Sequence, residues 1–382
     1  MGRRSLLALV GLLVVLVVVA GVTLMSGRTS SPERTLLYPG LEAGINDIRQ
    51  LKVITHADTS TGDNTAGSDT AGASTVIATL ERGSSQWTVE ERHGYPADIG
   101  RVRRNLLALA NARIIEQKTS NPAFYARLGV QDPGAAGSES TELVAEGTGK
   151  PVGLIVGSSG PGDGDSTYVR RAGEAVSWLV SGRFDPGKKT GDWLDPSILD
   201  IPASRIASVS IIQPDGTTLQ IVQKPAPEGT AADPAHVDFD VVGMPKGRSL
   251  KYPGMANGVA GALAELNLED VAQRDSLGQS PGKPVVARFT TTDGLVVEAS
   301  AWRLPAGTLF SFNASAAKPA AAKTGTAAAG KDDSSGNSRV TGKDPATEAN
   351  AINARLAGWL YSLPGFKAEQ FTRTMEELLA PK

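Results

Sequence analysis

The chain has 382 residues, and its Lys+Arg total of 38 against Asp+Glu 40 leaves a formal net charge of −2. That length suits two or so domains, and the charge balance lacks the basic footprint of a nucleic-acid binder, so no nucleic-acid partner is expected. Cysteine is absent, which excludes disulfides, a thiol nucleophile and lipoprotein anchoring.

The first element is Leu6–Met25, LLALVGLLVVLVVVAGVTLM, uncharged and free of proline. A helix of that length rises about 30 Å, the thickness of one hydrocarbon core. It exceeds the about 7–15 apolar residues of a cleavable signal, and no A-x-A site follows it. It therefore reads as a retained anchor within 1–27, with a long cleaved signal as the alternative. Arg3 and Arg4 on the short side put the N-terminus in the cytoplasm. The expectation is a single-pass protein of the inner membrane with its C-terminal part in the periplasm. Gly11 and Gly21 make no small-x-x-x-small face, so the run looks like a plain tether.

Beyond it, Ile45–Ile54, Val76–Leu80 and Gln86–Glu90 read as strands. Asp98 can cap a helix whose stripe is Ile99, Val102, Leu106 and Leu109. Arg101, Arg103 and Arg104 fall off that stripe, as a solvated face would. A central hairpin follows: Val152–Gly157, a Gly-rich loop, Tyr168-Val169-Arg170-Arg171 and Ala175–Val180. Asp192–Asp200 reads as a helical turn.

From Leu199 the order repeats. Ile206-x-x-Val209-x-Ile211 matches Ile48-x-x-Leu51-x-Val53, and Phe239-x-Val241 matches Trp87-x-Val89. Tyr252-Pro253 matches Tyr95-Pro96. Val259, Leu263, Leu266 and Val271 repeat the offsets of Val102, Leu106, Leu109 and Ile114. Asp215-Gly216 and Thr292-Asp293-Gly294 are hairpin signals, the latter within a partial third copy. Glu348–Leu363 and Lys367–Leu379 read as helices. The polar stretches 58–74 and 315–346 lack the apolar residues that offset ordering entropy, so deleting 315–346 should leave stability nearly unchanged.

The expected fold class is α+β: an N-terminal transmembrane helix, then duplicated units of mainly antiparallel sheet closed by a helix. The units fall at 37–140 and 201–280, with a central hairpin segment at 141–200. The remainder, 281–382, holds a hairpin and helices around a disordered insertion at about 314–347.

Candidate chemistry is sparse. His56, His93 and His236 show no metal-ligand spacing. Gly157-Ser158-Ser159-Gly160 lacks the spacing of a nucleophile elbow. The Gly157–Ser166 loop has no Lys and no following helix, so it is a hairpin tip rather than a phosphate cradle. Asp163-Gly164-Asp165 lacks the remaining ligands of a calcium loop. No catalytic, cofactor or metal site is expected. The distinctive polar spot is Tyr168-Val169-Arg170-Arg171. Alternation puts Tyr168 and Arg170 on one face and Arg171 on the other. Arg170 suits either a partner's carboxylate or an internal ion pair, and both readings stand at this point.

These residues resemble a known family. The ordered motifs are Trp87-x-Val89, Gly94-Tyr95-Pro96-Ala97-Asp98, Lys118-Thr119, Tyr125-x-x-Leu128-Gly129-Val130-x-Asp132-Pro133 and Tyr168-Val169-Arg170-Arg171. Trp178-Leu179-Val180, Trp193-Leu194, Leu268-Glu269-Asp270-Val271, Asp293-Gly294-Leu295 and Asn353–Trp359 with Leu363-Pro364-x-Phe366-Lys367 continue the order. Together they resemble the bacterial domain-of-unknown-function family four-three-four-zero. The resemblance implies a single-anchor envelope protein, often encoded beside gliding-motility-type ABC transporter components, and it brings no catalytic residues. The expected function is a membrane-tethered, exported, non-catalytic accessory subunit of an ABC-type export system. Its expected partners are the membrane, through Leu6–Met25, and ABC permease or ATPase-associated subunits. The alternative is a free-standing envelope binding module for a glycan or other polymer, which aromatics exposed in a groove would favour.

Overall fold

The computed structural model describes residues 35–57, 73–147, 149–162, 164–225, 237–278, 282–317 and 344–381. The Leu6–Met25 run, His236, Asp163 and most of both polar stretches lie outside them. Among the described residues no helix is long and apolar enough to cross a membrane.

In chain order the elements begin with a helical turn α1 (Leu41–Gly44), then strands β1 (Gln50–His56), β2 (Ser74–Arg82), β3 (Trp87–Val89) and β4 (Tyr95–Pro96). Helix α2 (Ile99–Asn111), β5 (Ile114–Gln117) and the turn α3 (Tyr125–Leu128) follow. Next come β6 (Thr141–Glu146), β7 (Val152–Ser159), β8 (Ser166–Arg171), β9 (Ser177–Ser181) and β10 (Ser197–Leu199). Then β11 (Ile206–Ile212), β12 (Thr218–Gln223), β13 (Phe239–Val242), α4 (Met255–Ala260), β14 (Leu266–Asn267) and β15 (Asp270–Gln273). The chain closes with β16 (Val285–Thr291), β17 (Leu295–Leu304), β18 (Gly307–Ala316), α5 (Pro345–Leu356), β19 (Trp359–Ser362), α6 (Gly365–Thr372) and α7 (Met375–Leu378). The protein is thus mostly antiparallel sheet with a few helices, an α+β arrangement.

Two compact units share the chain. One joins Gly100–Pro186 to the described residues up to Val76; the other joins Ile77–Ile99 to Gly187–Lys382. In the first, six antiparallel strands run in the order β1-β6-β7-β8-β9-β5. Alternation sets its core: Leu51 and Val53 of β1 are buried, as are Leu143 and Ala145 of β6, their register partners. On α2, Val102, Leu106 and Leu109 are buried at helical spacing, whereas Ile99 in the first turn is exposed. Arg101 is not a solvated residue either, since Nη1 donates to Asp185 at 2.6 Å.

The second unit holds an eight-stranded antiparallel sheet, β13-β12-β11-β16-β17-β18-β19-β15. Taken from β1 and β11 respectively, with β5 and β15 as each unit's second strand, the six strands adopt one spatial order in both units: first, third, fourth, fifth, sixth, second. Val285–Phe289 and Leu295–Ala299 are therefore not a third copy. They lie in β16 and β17, which occupy the places of β6 and β7. The repeated helix is also shorter than its stripe suggests. Val259 lies on α4, but Leu263 is in a 3₁₀ turn and Leu266 is on a strand, whereas Leu106 and Leu109 are on α2; Val271 lies on β15 as Ile114 lies on β5. Tyr252 is 69% exposed while Tyr95 is buried, so the two Tyr-Pro pairs do not play one role.

One face of this second sheet carries the core. Phe371 of α6 meets Phe289, Phe310 and Phe312 at ring separations of 5.5, 5.6 and 5.8 Å, within the range of favourable aromatic pairs. The opposite face is polar, with Ser210, Gln220, Arg288, Glu298 and Asn313 in one cross-strand row. The β18 edge is protected by a side chain. Asn353 on α5 accepts from Ala314 N–H and donates to Ala314 O, both at 2.7 Å, as a neighbouring strand would.

Several predicted bounds shift. Ile45–Asp47 is a 3₁₀ turn rather than strand. The stretch Glu348–Leu363 is not one helix: α5 stops at Leu356, and Gly358, with φ +86°, turns the chain into β19. Nor is 315–346 wholly an insertion. Ser315 and Ala316 pair with β17, and Asp344 caps α5 by accepting from Thr347 N–H at 3.0 Å.

Candidate functional site

The first unit gathers the motif residues around one guanidinium. Register pairs Arg170 with Ile155 on β7 and with Ser177 on β9, and Ile155 with Glu142 on β6. Directly paired residues share a face, so these side chains stand on one side of the sheet. The segment from Pro122 to Asp132 crosses that side. Tyr125 and Val130 pack on Ile155, with Leu128 and Tyr168 beside them.

Arg170 holds this segment down. Its side chain is only 4% exposed, yet every nitrogen has a partner. Nε donates to Val130 O at 2.9 Å, Nη1 to Glu174 O at 2.9 Å, and Nη2 to Asp132 Oδ1 at 2.6 Å. The guanidinium carbon sits 4.7 Å from the Tyr125 ring centre, a cation–π distance. Tyr125 in turn donates its hydroxyl to Ala175 O. Arg171 points elsewhere: Nη2 donates to Leu37 O at 2.6 Å and Nη1 to Glu174 Oε2 at 3.0 Å. Tyr168 lies 5.9 Å below the Lys118 ammonium. The structure therefore brings Tyr168 and Arg170 together on the segment and sends Arg171 to the N-terminal part of the unit. A guanidinium bonded in this way, with all three nitrogens engaged by its own chain and a side chain only 4% exposed, anchors the segment.

A close backbone approach completes the latch. A Cβ at Gly157 would collide with Leu128 O and lie 2.9 Å from Gly129 O. Gly129 itself has φ +66° and ends α3, so both glycines of the motif region are required by geometry. Glu142 lies on the same face. Burial pushes its carboxyl pKa up, Asp132 adds to the rise, and Arg170 opposes it. His56 Nδ1 lies 3.1 Å from Pro133 O. No group of three or more metal-ligating side chains forms among the described residues. The sequence located Arg170 but gave no sign of Gly157, because the residue it must avoid, Leu128, is remote along the chain.

In the second unit charged side chains likewise bind the frame. Arg92 forms a two-pronged pair with Asp270, both contacts at 2.7 Å. Arg205 joins Glu348 on α5 to Asp293 in the β16–β17 turn, at 2.8 and 2.7 Å. Lys367 Nζ donates to Ala264 O at 2.5 Å, and burial lowers its pKa. A shallow depression of about 460 Å³ opens at the end of the β15–β19 pair, lined by Gln273, Arg274, Asp275, Ala357, Gly358 and Trp359.

Neither the curated proteins nor the solved structures contain a match to this chain. A family model described as Domain of unknown function (DUF4340) matches residues 87–282, just over half of the chain. That span contains the Tyr125–Pro133 segment, Gly157 and the Tyr168–Arg171 strand, so the latch lies inside the matched region. The chain belongs to the DUF4340 family.

Proposed function

We propose that this protein is a membrane-tethered, exported accessory protein that works by binding, in association with an ABC-type export system. The observation that carries the reading is the single uncharged run Leu6–Met25, of bilayer length, ahead of a chain with no second such run. On this reading the run is a transmembrane tether in the inner membrane and the two sheet units lie in the periplasm. Their common strand order supports descent from one duplicated unit. The family resemblance supports ABC permease or ATPase-associated subunits as partners, because members are often encoded beside such components. Arg170, Arg171 and Asp132 are engaged in holding the fold, so the reading assigns them no role in turnover.

The test is crosslinking in intact cells, followed by detergent extraction and identification of the captured proteins. Recovery of ABC permease or ATPase subunits supports the proposal. A mature chain that begins after Met25 and floats free of the membrane refutes the tether. The second reading, a free-standing envelope module for a glycan or other polymer, is favoured by the Trp359 depression and predicts no membrane partner.

A further inference from the structure

We infer that the depression beside Trp359 binds one ring of a neutral saccharide. The inference rests on the glycan-binding part of the second reading, for which it names residues and ligand class, and does not depend on whether the chain is free-standing.

The walls come from two paired strands. Gln273 is the register partner of Trp359, so their side chains rise on one side of the sheet. Arg274 N–H donates to Gly358 O at 3.0 Å and holds the two walls together. Ala357 and Gly358 add little side-chain bulk to the lining, and Gly358 is fixed as glycine by its φ of +86°. The indole is oriented in advance. Tyr95 meets it edge-on, with ring centres 5.1 Å apart and planes at 90°.

The depression combines an aromatic wall with unengaged polar groups. Elsewhere in the unit Arg92 and Arg205 are held by carboxylates. The exposed side chains of Gln273, Arg274 and Asp275 have no hydrogen-bonded or ionic partner among the described residues. An amide, a guanidinium and a carboxylate thus stand beside an indole around a space of about 460 Å³. Ligand clefts run to roughly 300–1,000 Å³ and place a few polar groups around an apolar or aromatic wall. A pyranose matches the set: its C–H face packs on an indole, and its adjacent hydroxyls pair with planar donors and acceptors. A phosphate would face the Asp275 carboxylate, and an apolar peptide would leave three polar groups without partners. Charges of both signs therefore favour a neutral sugar.

The test uses the full chain in detergent with cellohexaose, maltohexaose and chitohexaose as probes, read by saturation-transfer NMR and calorimetry. At least one of the three should bind. Trp359→Ala and Gln273→Ala should each weaken that binding tenfold or more, while Trp359→Phe retains most of it. Gln273 is exposed, so its variant reports on the site without endangering the fold. Absence of transfer to all three probes, or undiminished binding by Gln273→Ala with Asp275→Ala, overturns the inference. Tighter binding of a polyglucuronate oligomer than of any neutral probe also overturns it. Crosslinking to ABC subunits is read separately, so either proposal can fail alone.

Discussion

Replacing Arg170 by Met tests the latch. Methionine keeps much of the stem volume and removes the charge. Val130 O and Glu174 O each lose a charged donor at 2.9 Å. Hydrogen bonds to charged groups contribute about 1.5–3 kcal/mol each, and the Tyr125 contact adds about 1 kcal/mol. The Asp132 pair contributes less, because that carboxylate is 69% exposed and is rehydrated when the pair breaks; such half-exposed pairs are worth about 0–1 kcal/mol. Relief from burying the guanidinium offsets part of the loss, leaving about 3 kcal/mol against the latched state. With two units, a single unfolding midpoint is a poor readout, so the assay is hydrogen exchange read by mass spectrometry. Peptides covering residues 121–133 should lose roughly 100-fold in protection, at about 1.4 kcal/mol per tenfold, while β16–β18 keep theirs. Asp132→Asn should lose less than tenfold in the same peptides. Unchanged protection in Arg170→Met, or equal losses in the two variants, would refute the argument.

Gly157→Ala should destabilise the first unit by about 1–3 kcal/mol, because the new methyl meets the fixed carbonyls of Leu128 and Gly129; protection in 121–133 and β7 should fall together. Glu142 has a folded pKa above its ordinary value of 4.5, so its protonation favours the fold. Its contribution is fully present below 4.5 and is lost as pH rises through the folded value. Glu142→Gln should therefore stabilise the unit at neutral pH and leave it unchanged in acid, as urea titrations across that range would show. Deleting 315–346 should lower stability after all, since it removes the end of β18 and the Asp344 cap, the cap alone contributing about 1 kcal/mol. Deleting 318–343 instead should retain both, and equal stability of the two deletions would contradict this account.

Much of the fold was legible because it rests on local rules. Alternation in β1, β6 and β11 marks the buried faces, and Asp215-Gly216 and Asp293-Gly294 mark hairpins whose glycines have φ of +90° and +93°. The repeat was visible as Leu51 and Val53 echoed by Val209 and Ile211, all four buried. Element ends were less legible. Trp359–Ser362 continues an apolar period from α5, and pairing with β15 and β18 makes it a strand. Propensity is a weak prior against such non-local hydrogen bonding.

By itself the sequence determined the apolar run and the antiparallel sheet content, and it singled out Tyr168, Arg170 and Arg171 as a distinctive polar spot. These depend on neighbours in the chain and on periodicity. Tertiary structure decided what those residues do. Arg170 could have faced a partner until Val130, Asp132 and Glu174 converged on it, and its role depends on that convergence. The same holds for the Trp359 depression. Gln273 and Trp359 lie far apart in sequence and meet because β15 and β19 pair, an outcome set by sheet register and by no local signal.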